Sequence, residues 1–317
     1  SSAASDVYKR QIINNEHYIH DNYLINIKKS SRLKSTNIRT WRIMINKCIA
    51  IYVFIDNLLK KIEYKEPTNR NMSDAEVITT VLVSAIYFSG HHEKAMSFMS
   101  STGMVTHMLS KNRFNRRLHQ IRDLIVDLFF QLYALIKELN ISAEYSIDSV
   151  PISTCDNIRI IRTKLVQGEI YRGKKVSMKR YFYGYNIHLL CTADGIPVEY
   201  TFLPGSRHDS NALKQMPLHV PLGSRIYADS VYTNYSIEQM LKDAENIDLL
   251  VQRKSNSKKK HEPYVDYLIS SMRKRIESAF SEISNFLPKK IHAVTEFGFL
   301  LKVVIFIFGY TISRTLF

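Results

Sequence analysis

Two short segments of this chain share a pattern. Tyr145–Pro151 reads YSIDSVP and Arg225–Tyr232 reads RIYADSVY; each carries Asp-Ser-Val at the end of an apolar, β-favouring stretch. As strands they would bring Asp148 and Asp229 into or beside a core. A buried carboxylate is costly unless a partner, a metal or a set of hydrogen bonds compensates it. A third acid, Glu277, sits in the helical run Tyr267–Leu287. Two strand-borne Asp and one helix-borne Glu suit phosphoryl transfer assisted by two metal ions. Such ions, about 3.5–4 Å apart, activate an attacking oxygen and stabilise the leaving one. Mg²⁺ takes oxygen ligands and keeps several waters, so a few carboxylates suffice. In this reading Asp148 bridges the ions, Asp229 holds one and Glu277 the other.

Spacing alone carries no weight here, because 29 acidic residues supply many such triples. The weight comes from the two matching segments and from the basic run Arg273, Lys274, Arg275 ahead of Glu277. Arg273 shares a helix face with Glu277, off the apolar stripe Leu268, Met272, Ile276, Ala279, Phe280, Ile283; a surface ion pair is the plain reading. Glu282 is a rival acid on the same helix. His208 and Asp209 follow Gly205 in a loop. They could contact phosphate or water near the site, or Asp209 could cap a helix starting at Ser210 and leave His208 exposed.

The elements that must position these residues begin near Tyr145, where strands start to alternate with helices. Tyr145–Ile152 reads as a strand, and Asn157–Arg180 as a basic loop or excursion. Tyr181–Thr192 and Val198–Leu203 read as a hairpin joined by the turn pair Asp194–Gly195. A short helix over 210–217 follows, then a strand over 226–232 and a helix from Ser236, its cap, to Asn246. Asp248–Val251 is a buried strand, Arg253–Pro263 a basic loop, and Val265–Leu287 a helix. The order predicts an α/β fold with a mixed sheet and flanking helices.

Upstream, residues 41–140 read as all-helical. Trp41–Tyr64 carries an apolar stripe. Ser73 and Glu76 form a capping box for a helix to about Tyr87. Leu109–Leu139 opens on KNRFNRRLHQ, with Ser110 as its cap, and turns strongly apolar. This region is either a helix-turn-helix-like DNA-binding unit, with Arg113, Arg116 and Arg117 at the DNA, or a helical bundle with a solvated basic turn. His91 and His92 are adjacent and point apart on a helix, against a metal pair. Asn14–Arg39 is polar and basic, so residues 1–40 are expected to form a poorly ordered arm. Ser1–Gln11 do not open with Met and resemble a stretch found ahead of unrelated reading frames. They are set aside, with the natural start expected upstream or later.

The chain has 44 Lys and Arg against 29 Asp and Glu, a formal charge of +15 over 317 residues, and a pI near 9.6. That points to a polyanion, either nucleic acid or an anionic membrane surface. Phe297–Phe317 is apolar but interrupted by Lys302 and Arg314, which favours a core element over a span. No signal-peptide pattern or basic amphipathic helix argues for a membrane partner. The three cysteines, Cys48, Cys155 and Cys191, are too few and too spread for a disulfide framework or a structural zinc, and fit a reducing cytoplasm. Arg172, Lys174 and Lys175 in one basic stretch, and Lys258, Lys259 and Lys260 in another, are candidate phosphate contacts. The plain alternative is a solvated charge run.

The segments SIDSVPI, HDSNAL, YADSVYTN, RKRIESAFSEI and PKKIHAVTEFGFLLKV resemble the DDE transposases of bacterial insertion sequences, most closely the IS982 family within the IS4-like group. The likeness continues upstream through SDAEVITTVLV and MLSKNRFNRRLHQI, spanning about residues 45–317. It implies a ribonuclease-H-like catalytic domain over 141–317 and selects Asp148, Asp229 and Glu277 as catalytic, metal-binding acids. It also implies two Mg²⁺ ions, with Mn²⁺ able to substitute, and DNA as partner, both terminal inverted repeats and target. A homodimer or larger synaptic complex in the cytoplasm, associated with the nucleoid, follows from the same likeness. Related IS4-type enzymes carry Tyr-x2-Arg-x3-Glu-x6-Lys. Arg273 and Glu277 fit, but Ser270 and Ser284 stand at the Tyr and Lys positions, with Lys289 and Lys290 following. Arg273 is carried over as a DNA contact. The alternatives are a metal-dependent nuclease of the same fold that cuts without joining, and an inactive DNA-binding relic.

Overall fold

The computed structural model describes residues 35–175 and 180–317. Most of the expected N-terminal arm therefore lies outside the described residues; residues 35–40 belong to helix α1 (Ser35–Lys61). The chain divides into two compact units between Leu118 and His119.

The described part of the first unit is helical: α1 (Ser35–Lys61), α2 (Asp74–Tyr87), α3 (His92–Ser101) and α4 (Lys111–Gln120). The capping box forms as expected: Ser73 Oγ accepts from the Glu76 amide at 3.1 Å, and Glu76 Oε2 accepts from the Ser73 amide at 2.7 Å. Beside it, Asp74 is fully buried at the α2 N-terminus, where the helix dipole favours an anion. Its carboxylate accepts from the Tyr64 hydroxyl at 2.7 Å, from Arg70 at 2.8 Å and from Arg117 Nε at 2.8 Å. Arg117 also reaches Glu66 at 3.4 Å.

The expected single helix over Leu109–Leu139 is two. Ile121 leaves helical geometry, with φ −97° and ψ 16°, and α5 (Arg122–Leu139) starts anew. The α5 stripe of Ile125, Leu128, Phe129, Leu132, Tyr133 and Ile136 is buried. Phe129 stacks on Tyr200 at 5.8 Å and on Phe308 at 4.8 Å. α5 packs with the sheet unit, because its apolar face is completed by rings from a strand and from the last helix.

The second unit continues with β1 (Glu144–Cys155), β2 (Arg172–Lys175), β3 (Arg180–Thr192), β4 (Pro197–Pro204), α6 (Ala212–Gln215), β5 (Arg225–Ala228), α7 (Tyr235–Glu245), β6 (Asp248–Val251), α8 (Pro263–Phe286) and α9 (Glu296–Leu316). Among the described residues, six strands form one mixed sheet in the order β2-β3-β1-β5-β6, with β4 also pairing β3. β1 runs antiparallel to β3 and parallel to β5, and β5 runs parallel to β6. This sheet, its helices and the helical region ahead of it agree with the ribonuclease-H-like fold expected.

Local details differ from the sequence reading. The 157–180 excursion is not structureless: it holds two 3₁₀ turns, Asn157–Arg162 and Glu169–Tyr171, and β2, which pairs with the start of β3. Asn234, not Ser236, caps α7, with its side-chain oxygen accepting from the Ile237 amide. α9 is one continuous helix. By length and composition it could cross a membrane, but 72% of its most apolar window is buried inside the protein.

Candidate active site

The 81-residue separation of the two Asp (229 − 148) is the register of the parallel pair. Tyr145 lies opposite Ile226, Ser146 opposite Tyr227 and Ile147 opposite Ala228. Asp148 and Asp229 are the next residues along the two chains, Asp229 lying just past β5 as the cap of a 3₁₀ turn. Neighbouring strands run about 4.8 Å apart, and both carboxylates line the same cavity. Each Asp is fixed by the same local bond, its Oδ1 accepting from the amide of the following Ser. That distance is 2.7 Å for Asp148 and Ser149, and 2.6 Å for Asp229 and Ser230.

Helix α8 supplies the third acid. Ile269 and Met272 bury against Tyr227, with Ala193, Leu250, Val265 and Ile276 packed around them. That contact brings Arg273 and Glu277 to the cavity lined by Asp148 of β1 and by Asp229 just past β5. The turn of the β3–β4 hairpin permits the approach: Gly195 sits at φ +77°, and a Cβ placed on it would come within 2.5 Å of Ala279 Cβ. Asp148, Asp229, Arg273 and Glu277 then line one cavity of about 50 Å³ with Ile147, Tyr227, Ala228, Ile269 and Ile276. A water needs roughly 10–15 Å³ of such space, so the cavity admits a few waters or a small cation, not a base.

Burial pushes the Asp148 carboxyl up to about 6; the Ser149 amide opposes this, Asp229 and Asp209 add to it, and Arg273 opposes it. Arg273 stands among the acids, its Nε 3.0 Å from Glu277 Oε1 and its Nη1 3.7 Å from Asp229 Oδ1. Nη1 also donates to the side-chain oxygen of Gln252, just past β6. Among the described residues, no three His, Cys, Asp or Glu side chains are close enough as they stand to hold a metal ion. The donor set is nonetheless all carboxylate oxygen, the chemistry of Mg²⁺ or Mn²⁺ rather than of a thiolate–imidazole zinc site. Gathering the acids on an ion takes side-chain rotation and movement of Arg273. The rival Glu282 does not line the cavity; it accepts from Tyr310 at 3.3 Å and pairs with Arg314 at 3.6 Å.

The loop after β4 corrects one expectation. His208, not Asp209, is the cap, its Nδ1 accepting from the Ser210 amide at 3.3 Å. Asp209 turns inward instead, to within 3.8 Å of Nε2 of the buried His188. Burial, then the charge of Asp229, raises the Asp209 carboxyl, with His208 opposing. Sequence reasoning passed over His188, Tyr232 and Gln252. For His188 a signal existed: a lone His inside the apolar strand YFYGYNIHLL.

The basic candidates fall into different surroundings. Arg113 and Arg116 are exposed on α4, whereas Arg117 is held inside by Asp74 and Glu66. Arg172 is exposed but pairs with Glu169 at 2.7 Å. Lys174 is exposed near the Tyr181 ring, and the Lys175 side chain lies outside the described residues. Lys258, Lys259 and Lys260 are exposed, with Lys259 Nζ 5.6 Å from the Tyr235 ring centroid.

No curated protein and no solved structure matches the chain. Residues 140–292 match the family model described as a transposase DDE domain. The matched segment contains all six strands of the sheet and Asp148, Asp229 and Glu277. Over that segment the chain is similar to the transposase DDE domain family, which supports a DDE transposase.

Proposed function

We propose that the chain is a DNA transposase of an insertion sequence, of the IS982 type that its motifs resemble. It cuts at the ends of its element and joins the freed 3′-hydroxyls to target DNA, acting in the cytoplasm at the nucleoid as a dimer or larger assembly. The observation that supports this reading is the single cavity lined by Asp148, Asp229 and Glu277. When bound at those three acids, two Mg²⁺ or Mn²⁺ ions would supply Lewis-acid stabilisation of the attacking and leaving oxygens.

The chain's own groups do the rest. Backbone amides from Ser149 and Ser230 fix the two Asp side chains. The packing of α8 on Tyr227 sets the height of Glu277. Exposed Arg113, Arg116, Lys174 and Lys258–Lys260 supply phosphate contacts, which give affinity and salt dependence but little sequence information. Arg273 is the one candidate DNA contact that also lines the acid cavity, so it can move between carboxylate and phosphate.

The test uses purified protein with labelled DNA carrying the ends that flank its gene, with Mg²⁺ or Mn²⁺, beside Asp229→Ala. Nicks at the end boundary together with joined products, both absent with Asp229→Ala, support the transposase. Nicks without joining favour a nuclease of the same fold. Binding without cleavage by either protein favours a DNA-binding relic.

A further inference from the structure

We propose that Tyr235 is a positioning residue: it holds the basic loop between β6 and α8 so that Lys258, Lys259 and Lys260 meet DNA as a preformed phosphate grip rooted beside Asp229. The inference deepens the proposed function and rests on that reading for its DNA partner.

The loop is tied down at both ends. At its start, the Gln252 amide donates at 3.0 Å to the carbonyl of Ala228, the residue before Asp229. The Gln252 side-chain oxygen accepts from Arg273, which lines the acid cavity. At its far end, His261 Nε2 donates to the Val251 carbonyl at 2.7 Å. Both ends therefore close on the end of β6, next to the strand that leads into Asp229.

Between those ends the sequence is RKSNSKKK, with no apolar side chain to anchor it. Tyr235, in the first turn of α7, supplies the anchor. Its ring centroid lies 5.0 Å from the Arg253 guanidinium carbon and 5.6 Å from Lys259 Nζ, within the cation–π reach of about 6 Å. Ser257 Oγ donates to the Lys259 carbonyl at 3.2 Å. With its one proton so engaged, the same oxygen accepts from the Tyr235 hydroxyl at 2.7 Å. One side chain thus holds the start, the middle and the lysine run of the loop.

The cations of the loop divide by what they face. Arg253 is part of the scaffold: its side chain is 7% exposed, and both its Nη atoms donate to Glu238 of α7. Lys258, Lys259 and Lys260 are exposed. Among the described residues none of the three pairs with an acid, whereas Lys111, Arg172 and Lys290 each do. Three like charges held side by side repel one another, and a run of phosphates relieves that repulsion. Fixing the run before DNA arrives spares the ordering cost that a loose loop incurs on binding.

The experiment measures binding of the full chain to a labelled random-sequence DNA duplex by fluorescence anisotropy over a salt series, without divalent metal. Tm and hydrogen exchange of the 252–261 amides are recorded on the same preparations. The variants are Tyr235→Leu, Tyr235→Phe, Ser257→Ala, and a triple change of Lys258, Lys259 and Lys260 to Gln. The triple variant is expected to bind more weakly, with a logarithmic salt slope shallower by about 2–3, at roughly 0.9 per phosphate. Tyr235→Leu keeps every charge of the loop, yet should weaken DNA about two- to tenfold through the cost of ordering a freed side chain, with faster exchange across 252–261. Tyr235→Phe and Ser257→Ala break the same hydroxyl bond. Each should weaken DNA less than Tyr235→Leu, and together no more than either alone. They also keep the test decisive if Tyr235→Leu fails to fold. A lower Tm with wild-type DNA affinity in the Tyr235 variants makes the residue merely structural and overturns the inference. Unchanged affinity and slope in the lysine variant, while the wild type binds, also overturns it and leaves the proposed function standing. Absence of DNA binding by the wild type overturns both.

Discussion

Arg273 Nε lies 3.0 Å from Glu277 Oε1, one helical turn along α8, and the same guanidinium reaches Asp229 at 3.7 Å. Sequence alone makes the first contact an ordinary surface pair. The sheet makes it more, because the partner of that pair is an acid of the candidate site and Asp229 directly follows β5. Without a metal, Arg273 serves as the local counter-charge.

Replacing Arg273 by Ala is therefore expected to tighten Mn²⁺ binding while weakening DNA binding. Exposed ion pairs are worth roughly 0.2–1 kcal/mol, so the gain in Mn²⁺ affinity is about 1.4- to fivefold. Direct metal titration and a DNA shift assay on the same preparation check the two signs. A fall in both affinities would mean that Arg273 only holds α8 in place.

Asp148 gives a pH dependence with a definite sign. Its carboxyl is raised from 3.8 to about 6, chiefly by burial. The folded state therefore holds a proton there that the unfolded state has lost, and stability falls as pH rises from about 4 through 6. At pH 8 the ionised side chain costs on the order of 2–3 kcal/mol, at 1.36 kcal/mol per unit. Asp148→Asn should stabilise the protein without added metal by that order at pH 8 and hardly at all at pH 4. Denaturant unfolding at the two pH values checks it; an equal effect at both would place the benefit elsewhere.

How much of this was legible beforehand follows from what each residue depends on. Asp148 and Asp229 could be paired from sequence because matching segments in parallel strands share a register, and register is a local pattern repeated. The capping box at Ser73 was legible for the same reason. Arg117 was not, because its fate depends on Asp74, which lies 43 residues away in sequence and is fully buried. The Ile121 break was hidden because the apolar spacing continues straight across it. Asp209 was left between a cap and a site contact because a loop Asp caps helices well, and only the sheet shows His188 behind it.

Arg117 and its exposed neighbours should separate cleanly. Removing one partner of a buried pair typically costs about 3–5 kcal/mol, so Arg117→Ala should destabilise the first unit strongly. Arg113→Ala and Arg116→Ala should leave Tm within about a degree or two and lower DNA affinity, with a shallower dependence on salt. Thermal unfolding and salt-titrated DNA binding read the contrast. Weaker DNA binding in Arg117→Ala without loss of Tm would return that residue to the DNA-facing set.

Gly195 tests how the hairpin places Glu277. At φ +77° a side chain is strained, and a Cβ would come within 2.5 Å of Ala279 Cβ. Gly195→Ala should cost about 1 kcal/mol for the backbone and about 1–3 kcal/mol for overpacking against α8. Because Ala279 lies two residues from Glu277, the same push should weaken Mn²⁺ binding. Ala279→Gly alone costs about 1 kcal/mol in helix propensity, but in the double variant it removes the clash. The two changes should therefore be less than additive in stability, and the double variant should regain Mn²⁺ affinity. Strict additivity, with Mn²⁺ binding untouched by Gly195→Ala, would show that the hairpin turn does not set the position of the helix that bears the third acid.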